Sequence, residues 1–214
     1  MTAKRLSAKD SRDLIWLCWR LAETLRDGPS IAPALEKAAE RAPVAVQPLL
    51  RAIRQRLSNG GRMSEELMSQ GAPTYVWGTV YAGEVTGDMV PALTALAGRL
   101  EMEQALPPAR DTRLRAYILA CGRLAMLLSL GVPIERGMEA TAESVTPSEA
   151  TDALIAARKG ILQGDMLSDA LQQAASSLPP LTIDMIRDGE HDGRLGETLA
   201  VVADYLLDEE QGGQ

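Results

Sequence analysis

The chain has 214 residues, 46% of them hydrophobic and 24% charged, enough apolar material for one large domain or two small ones and too much for a mainly disordered protein. Its formal net charge is −7, so phosphate backbones and anionic lipid surfaces are repelled rather than attracted. Phe is absent and aromatics make up 3%, which leaves Leu, Ala, Met, Ile and Val to build the core and leans the chain towards an all-α fold.

From the N-terminus, Lys4, Arg5, Lys9 and Arg12 mix with Asp10 and Asp13 and read as a solvated helix start. Residues 10–26 carry Leu14, Leu17, Cys18, Leu21 and Leu25 at i, i+3/i+4 spacing, which predicts the first helix. Asp27-Gly28-Pro29-Ser30 closes it and opens the next, because Gly suits a left-handed C-terminal position and Ser an N-cap. Helices are expected over 31–42, over 45–59 up to Asn59-Gly60-Gly61, over 64–70 and 73–83, and over 88–104. Leu106-Pro107-Pro108-Ala109 is the natural linker, since consecutive prolines cannot continue a helix. The pattern then repeats over 113–130, 134–144, 147–163, 168–176, 180–189 and 195–210, and nowhere shows sustained strand-like alternation. The most apolar stretch, Tyr117 to Leu130, carries Arg123 and falls short of the roughly 20 apolar residues of a membrane span. Neither a spanning helix nor a signal peptide is expected.

The two series of helices are copies of one another. Arg20-Leu21-Ala22 with Leu25, Gly28, Ile31 and Glu36 recurs as Arg123-Leu124-Ala125 with Leu128, Gly131, Ile134 and Glu139, each pair 103 residues apart as Gly28 and Gly131 are. The block from Gly60-Gly61 to Leu67 recurs as Gly164-Asp165-Met166-Leu167-Ser168-Asp169-Ala170-Leu171, 104 residues on. Gly83-Glu84-Val85-Thr86-Gly87 recurs as Gly189-Glu190-His191-Asp192-Gly193, 106 residues on, with Leu93 facing Leu199. Three blocks in one order at nearly one spacing imply internal duplication, with domains over 10–105 and 113–210.

The first helix of each copy is apolar on more than one face: Ile15, Trp16 and Trp19 lie beside the inner stripe of one, and Leu119, Met126 and Leu127 beside that of the other. A helix apolar on most sides is normally buried on most sides. Trp16, Trp19, Leu119 and Met126 are therefore candidates for an interface between the copies or between subunits; the other reading is a first helix placed centrally in its own bundle. Were these helices to meet, Cys18 and Cys121 would lie close by pseudo-twofold symmetry. Two cysteines outside any CxxC pattern suit a reducing compartment, and their place on apolar stripes reads as core rather than nucleophile.

Candidates for chemistry are few. In the Gly-Glu-x-x-Gly segments, Gly83, Gly87, Gly189 and Gly193 allow tight turns, and the carboxylates of Glu84 and Glu190 suit amides at the next helix's N-terminus, where the dipole favours negative charge. Alternatively the turn binds a partner, or binds a cation through Asp188, Glu190 and Asp192, although the spacing is not that of an EF-hand. His191 is the sole histidine and sits in a polar turn, so neither a catalytic triad nor a His-rich zinc site can be assembled. The pairs Glu65-Glu66 and Glu101/Glu103 read as polar helix faces, and the nine Met residues as core filler. No catalytic residue, metal or cofactor is expected.

The ordered set of motifs resembles the F domain, the cytoplasmic domain of the inner-membrane platform proteins of type II secretion and type IV pilus machines. The second copy carries it best: Leu130-Gly131-Val132-Pro133-Ile134, then Met166-Leu167-Ser168-Asp169-Ala170-Leu171, then Gly189-Glu190 with Gly193-Arg194-Leu195, and last Ala203-Asp204-Tyr205-Leu206. The first is degenerate, with Pro29-Ser30 for Val-Pro and Glu66 for Ala. The resemblance implies two tandem six-helix antiparallel bundles and a non-enzymatic scaffold or adaptor that docks a secretion or pilus component such as the assembly ATPase. Platform proteins follow each such domain with transmembrane helices. Here a short Pro-rich linker separates the copies and the chain closes on Asp208-Glu209-Glu210-Gln211-Gly212-Gly213-Gln214, so a soluble cytoplasmic relative, held at the inner membrane by protein partners, is expected. The alternatives are a self-associating structural protein, or a sensor of a small ligand or divalent cation at the Gly189–Gly193 turn.

Overall fold

The computed structural model describes residues 8–28, 30–145, 148–175 and 177–212. Lys4 and Arg5 of the basic stretch, Pro29 of the first turn, Pro147 at the expected start of the ninth helix and Ser176 at the expected end of the tenth lie outside these residues. Among the described residues the chain is all-helical, without a strand. The helices in order are α1 (Ala8–Arg26), α2 (Ile31–Glu40), α3 (Gln47–Ser58), α4 (Met63–Ser69), α5 (Thr74–Thr86), α6 (Met89–Ala105), α7 (Thr112–Ser129), α8 (Ile134–Ala142), α9 (Glu149–Gln163), α10 (Leu167–Ala174), α11 (Pro180–His191) and α12 (Leu195–Gln211). The chain divides into two compact units between Ala105 and Leu106, with α1–α6 in one and α7–α12 in the other.

In the first unit α1 packs mainly on α6, and Leu14, Leu17, Cys18 and Leu21 form its buried stripe. The core is completed by Leu35, Ile53, Met63, Val76, Leu93 and Leu96, each fully enclosed. In the second unit α7 packs on α12, and its buried side chains run without a break from Ala120 to Leu127. That run includes Arg123, whose guanidinium donates to the Ser144 carbonyl at 2.8 Å and so ties α7 to the end of α8. The α7 start is capped by Asp111, which accepts from the Arg113 and Leu114 amides, and the α9 start by Ser148, which accepts from the Thr151 amide. Ser30 stands at the N-cap of α2, but its side chain makes no capping bond.

Helices α5 and α11 run past their expected ends. Gly83 and Gly189 lie inside them, and the left-handed conformation falls instead on Gly87 (φ 82°) and Gly193 (φ 69°). The first glycine of each segment serves close approach rather than a turn. A Cβ on Gly83 would lie 2.6 Å from the Ala92 Cβ, and one on Gly189 would lie 2.3 Å from the Thr198 Oγ1. Ala92 and Thr198 are themselves 106 residues apart, so the duplication has kept the same crossing of α5 on α6 and of α11 on α12.

Helix propensity alone would make Gly189→Ala stabilising. The crossing reverses the sign, and we expect a loss of about 1–3 kcal/mol from overpacking. The check is urea unfolding followed by circular dichroism, with a lower midpoint at an unchanged slope.

Candidate functional site

The two segments singled out in each copy meet in space. The Met63 and Ser64 amides at the start of α4 donate to Glu84 Oε1 at 2.7 and 3.4 Å, and the Ser64 hydroxyl donates to Glu84 Oε2 at 2.5 Å. In the second unit the Leu167 amide donates to Glu190 Oε1 at 2.5 Å and the Ser168 amide to Glu190 Oε2 at 2.9 Å. The first amides of a helix have no partner within it, and the helix dipole places partial positive charge there, so each carboxylate meets both demands at once. The helix so held is the one before the carboxylate's own, not the next one along as the sequence suggests. Glu84 and Glu190 sit near the C-termini of α5 and α11, which run back alongside the starts of α4 and α10. The link spans 20 residues from Ser64 and 22 from Ser168, a separation that the recurrence of both motifs in both copies could have revealed.

This geometry leaves little for a cation. Both oxygens of Glu190 accept amide hydrogen bonds, and Asp192 pairs with Arg194 at 2.7 Å. Asp188 and His191 are exposed. No group of three or more His, Cys, Asp or Glu side chains is placed to hold a metal ion among the described residues.

Other acidic side chains are engaged within their own units. Glu66 is buried at the start of α4, where its carboxylate accepts from Gln70 Nε2 at 2.8 Å and from Arg56 Nε at 3.1 Å. The Gln70 hydrogen bond, and after it the hydrogen bond and charge of Arg56, outweigh the cost of burial and hold its carboxyl below the ordinary value. Glu103 accepts from Arg99 at 3.0 Å and from the Tyr75 hydroxyl at 3.3 Å. The expected polar faces at Glu66 and Glu103 are therefore inward-turned bonds, while Glu65 and Glu101 are exposed. In the second unit Arg115 holds the buried Glu210 at 2.5 Å, and the Glu149 carboxylate accepts from the Ser177 amide at 2.8 Å and the Tyr117 hydroxyl at 3.4 Å. Cys18 is fully enclosed, and burial pushes its thiol up to about 12, so it presents no thiolate at neutral pH. Of the methionines, Met63 and Met138 are enclosed but Met68 and Met102 are exposed.

The remaining candidates lie on the first helix of each unit. Met126 is buried and Leu119 half-buried on α7. On α1, Trp16 is half-buried and Trp19 is 37% exposed, its indole N–H donating to Glu101 at 2.9 Å. Together with Arg12, Ile15, Arg26 and Gln104 they line an open groove of about 680 Å³ between the outer face of α1 and the end of α6. Its floor is aromatic and its rim charged, a combination suited to binding a protein surface.

Each unit is thus an all-helical bundle in which the glutamate of the Gly-Glu segment fastens the start of the preceding helix. The profile of the family described as type II secretion system (T2SS), protein F matches residues 17–119 and again residues 120–212, and the chain belongs to that family. Each match begins inside the first helix of a unit, α1 or α7. Among individual relatives, the chain is 32% identical over 106 residues to the type II secretion system protein F of Pseudomonas aeruginosa, a match covering 50% of this chain and 26% of that protein. It is 37% identical over 82 residues to the type IV pilus assembly protein PilC of Thermus thermophilus, covering 38% of this chain and 20% of that one. The chain thus spans about a quarter or less of the length of these relatives. No helix among the described residues is long and apolar enough to cross a membrane.

Replacing Glu84 or Glu190 by Ala strands two helix-start amides each. We expect a stability loss of about 0.5–2 kcal/mol per variant, as for other lost caps. Thermal and urea melts of each variant against wild type check it, and losses that add in the double variant show that the two clasps act independently.

Proposed function

We propose that this chain is a non-enzymatic scaffold of a type II secretion or type IV pilus machine, which docks the assembly ATPase or a platform component through helix surfaces at the cytoplasmic side of the inner membrane. The observation that carries this reading is the paired family match over nearly the whole chain. The geometry supports it in a second way. The glutamates of the Gly-Glu segments are occupied in holding helices together, which favours helix faces as the surfaces for a partner, among them the Trp16–Trp19 groove of α1.

The docking surface we assign is this groove, where Trp19 offers an exposed indole edge and Arg26 an exposed guanidinium. Truncating an aromatic anchor of an interface commonly removes about 2 kcal/mol or more. The test is binding of the intact chain to the purified assembly ATPase from the same cells, measured by calorimetry for wild type and for Trp19→Ala. Binding by wild type, weakened by about 30-fold or more in the variant, is the expected result. An ATPase that ignores the wild-type chain contradicts the reading, and equal binding by both chains removes the groove from it.

A further inference from the structure

Leu106, Pro107, Pro108, Ala109 and Arg110 join the two units, and the two prolines offer no amide by which the linker could be held. It is fastened all the same. The Arg115 guanidinium donates from Nε and Nη2 to Glu210 Oε2 at 3.1 and 2.5 Å, and from Nη1 to the Pro107 carbonyl at 2.8 Å. Arg110 donates to the Gln211 carbonyl. Both arginines therefore end on the last turn of α12, one on a side chain and one on the backbone.

Each of these bonds has a physical reason to form. The last carbonyls of a helix have no partner within it and carry the negative end of its dipole, so a guanidinium at Gln211 meets both needs. The Glu210 side chain is 0% exposed, and a carboxylate so enclosed requires a cation beside it, which Arg115 supplies. A guanidinium presents donors on more than one edge of a rigid plane, so a single side chain holds the carboxylate on one edge and the linker on another. The duplication shows that the arrangement is specific to the copy that the linker enters. At the same 103- and 106-residue spacings, the first unit has Ser7, Arg12 and Gln104 where the second has Arg110, Arg115 and Glu210.

We infer that Arg110, Arg115 and the last turn of α12 form a latch on the linker, which sets the length of the tether between the two units. While the latch is closed, Leu106 alone stands between the end of α6 at Ala105 and the fastened Pro107 carbonyl. When it opens, Leu106 to Arg110 are all released, and the free tether lengthens from about 3 Å to about 15 Å at the rise of an extended Pro-rich chain. Asp111 does not join them, because its carboxylate caps α7 through the Arg113 and Leu114 amides. Control of the latch lies in α12, since the terminal turn of a helix is the part that opens most readily. Unwinding of that turn, or its capture by a partner, releases both arginines together. The inference rests on contacts inside the second unit and not on the α1 groove, so either reading can fail alone.

The experiment is backbone amide NMR relaxation of the intact chain, read as order parameters at Leu106, Ala109 and Arg110, for wild type, Arg115→Lys and Arg110→Ala. A lysine ammonium keeps a charge opposite Glu210 but lacks the second edge that reaches Pro107, so Arg115→Lys separates the latch from the buried ion pair. Thermal melts confirm that the fold is kept. We expect order parameters of about 0.85 at Ala109 and Arg110 in the wild type, as for rigid backbone, and below about 0.6 in Arg115→Lys, with α7 and α12 unchanged. Arg110 is exposed, so Arg110→Ala opens its half of the latch without disturbing the core, and residue 109 loosens there too. Wild-type values below about 0.6 overturn the inference, because the linker is then free already. So do rigid values that persist in the folded variants, since the prolines alone then stiffen the linker.

Discussion

The first backbone amides of a short helix are a liability wherever that helix is packed against others, and in each unit of this protein one carboxylate removes it. Glu84 binds the start of α4 and Glu190 the start of α10. Helices of seven and eight residues are too short to persist alone, since nucleation consumes most of what their hydrogen bonds return. Their place in the fold depends on a group delivered by the following helix. That helix can deliver it only if it stays close to its own successor, which is what the glycine one residue before each carboxylate permits. The Gly-Glu pair is thus a single device: the glycine sets the distance between two helices, and the glutamate fastens a third.

This constraint accounts for the two copies remaining alike inside while they diverge outside. The clasp, the close crossing and the enclosed leucines recur in both units. Elsewhere the copies have drifted. The second unit buries an Arg115–Glu210 ion pair, and at the equivalent positions the first unit has Arg12 and Gln104, which line its open Trp16–Trp19 groove. Arg123 reaches a backbone carbonyl, and its equivalent Arg20 pairs with Glu23 on its own helix. Removing one partner of a buried ion pair strands the other. The first unit carries glutamine at 104 beside solvent, so no charge is stranded there. Its α1 groove is thus one of the outer surfaces at which the two units differ.

Much of the fold was legible in the sequence because helix periodicity and Gly/Pro punctuation agree along its whole length. The twelve helices of the described residues fall within three residues of the expected bounds at each end. The departures have physical causes. Helices α5 and α11 outrun their expected ends because Gly83 and Gly189 have the character of turn residues in sequence, and only tertiary packing shows them to be contact residues. Glu66 read as surface because charge is normally solvated, yet Arg56 and Gln70 make its burial tolerable. The role of Glu84 and Glu190 as helix-start ligands was legible from their charge, but the helix they serve was not, since a contact between segments 20 or so residues apart leaves no periodic trace. The Trp16 and Trp19 stripe was visible at once.

The central claim is that the Gly-Glu segment is a clasp closing each unit rather than a ligand site, and amide hydrogen exchange tests it most directly. Leu167 and Ser168 open α10, and in a free helix start their amides would exchange at close to the unprotected rate. The account requires protection at both, approaching that of the unit's core, and its loss across α10 in Glu190→Ala while α7 and α12 stay protected. Unprotected amides at 167 and 168 in the wild-type chain, or protection that survives removal of the carboxylate, would contradict it.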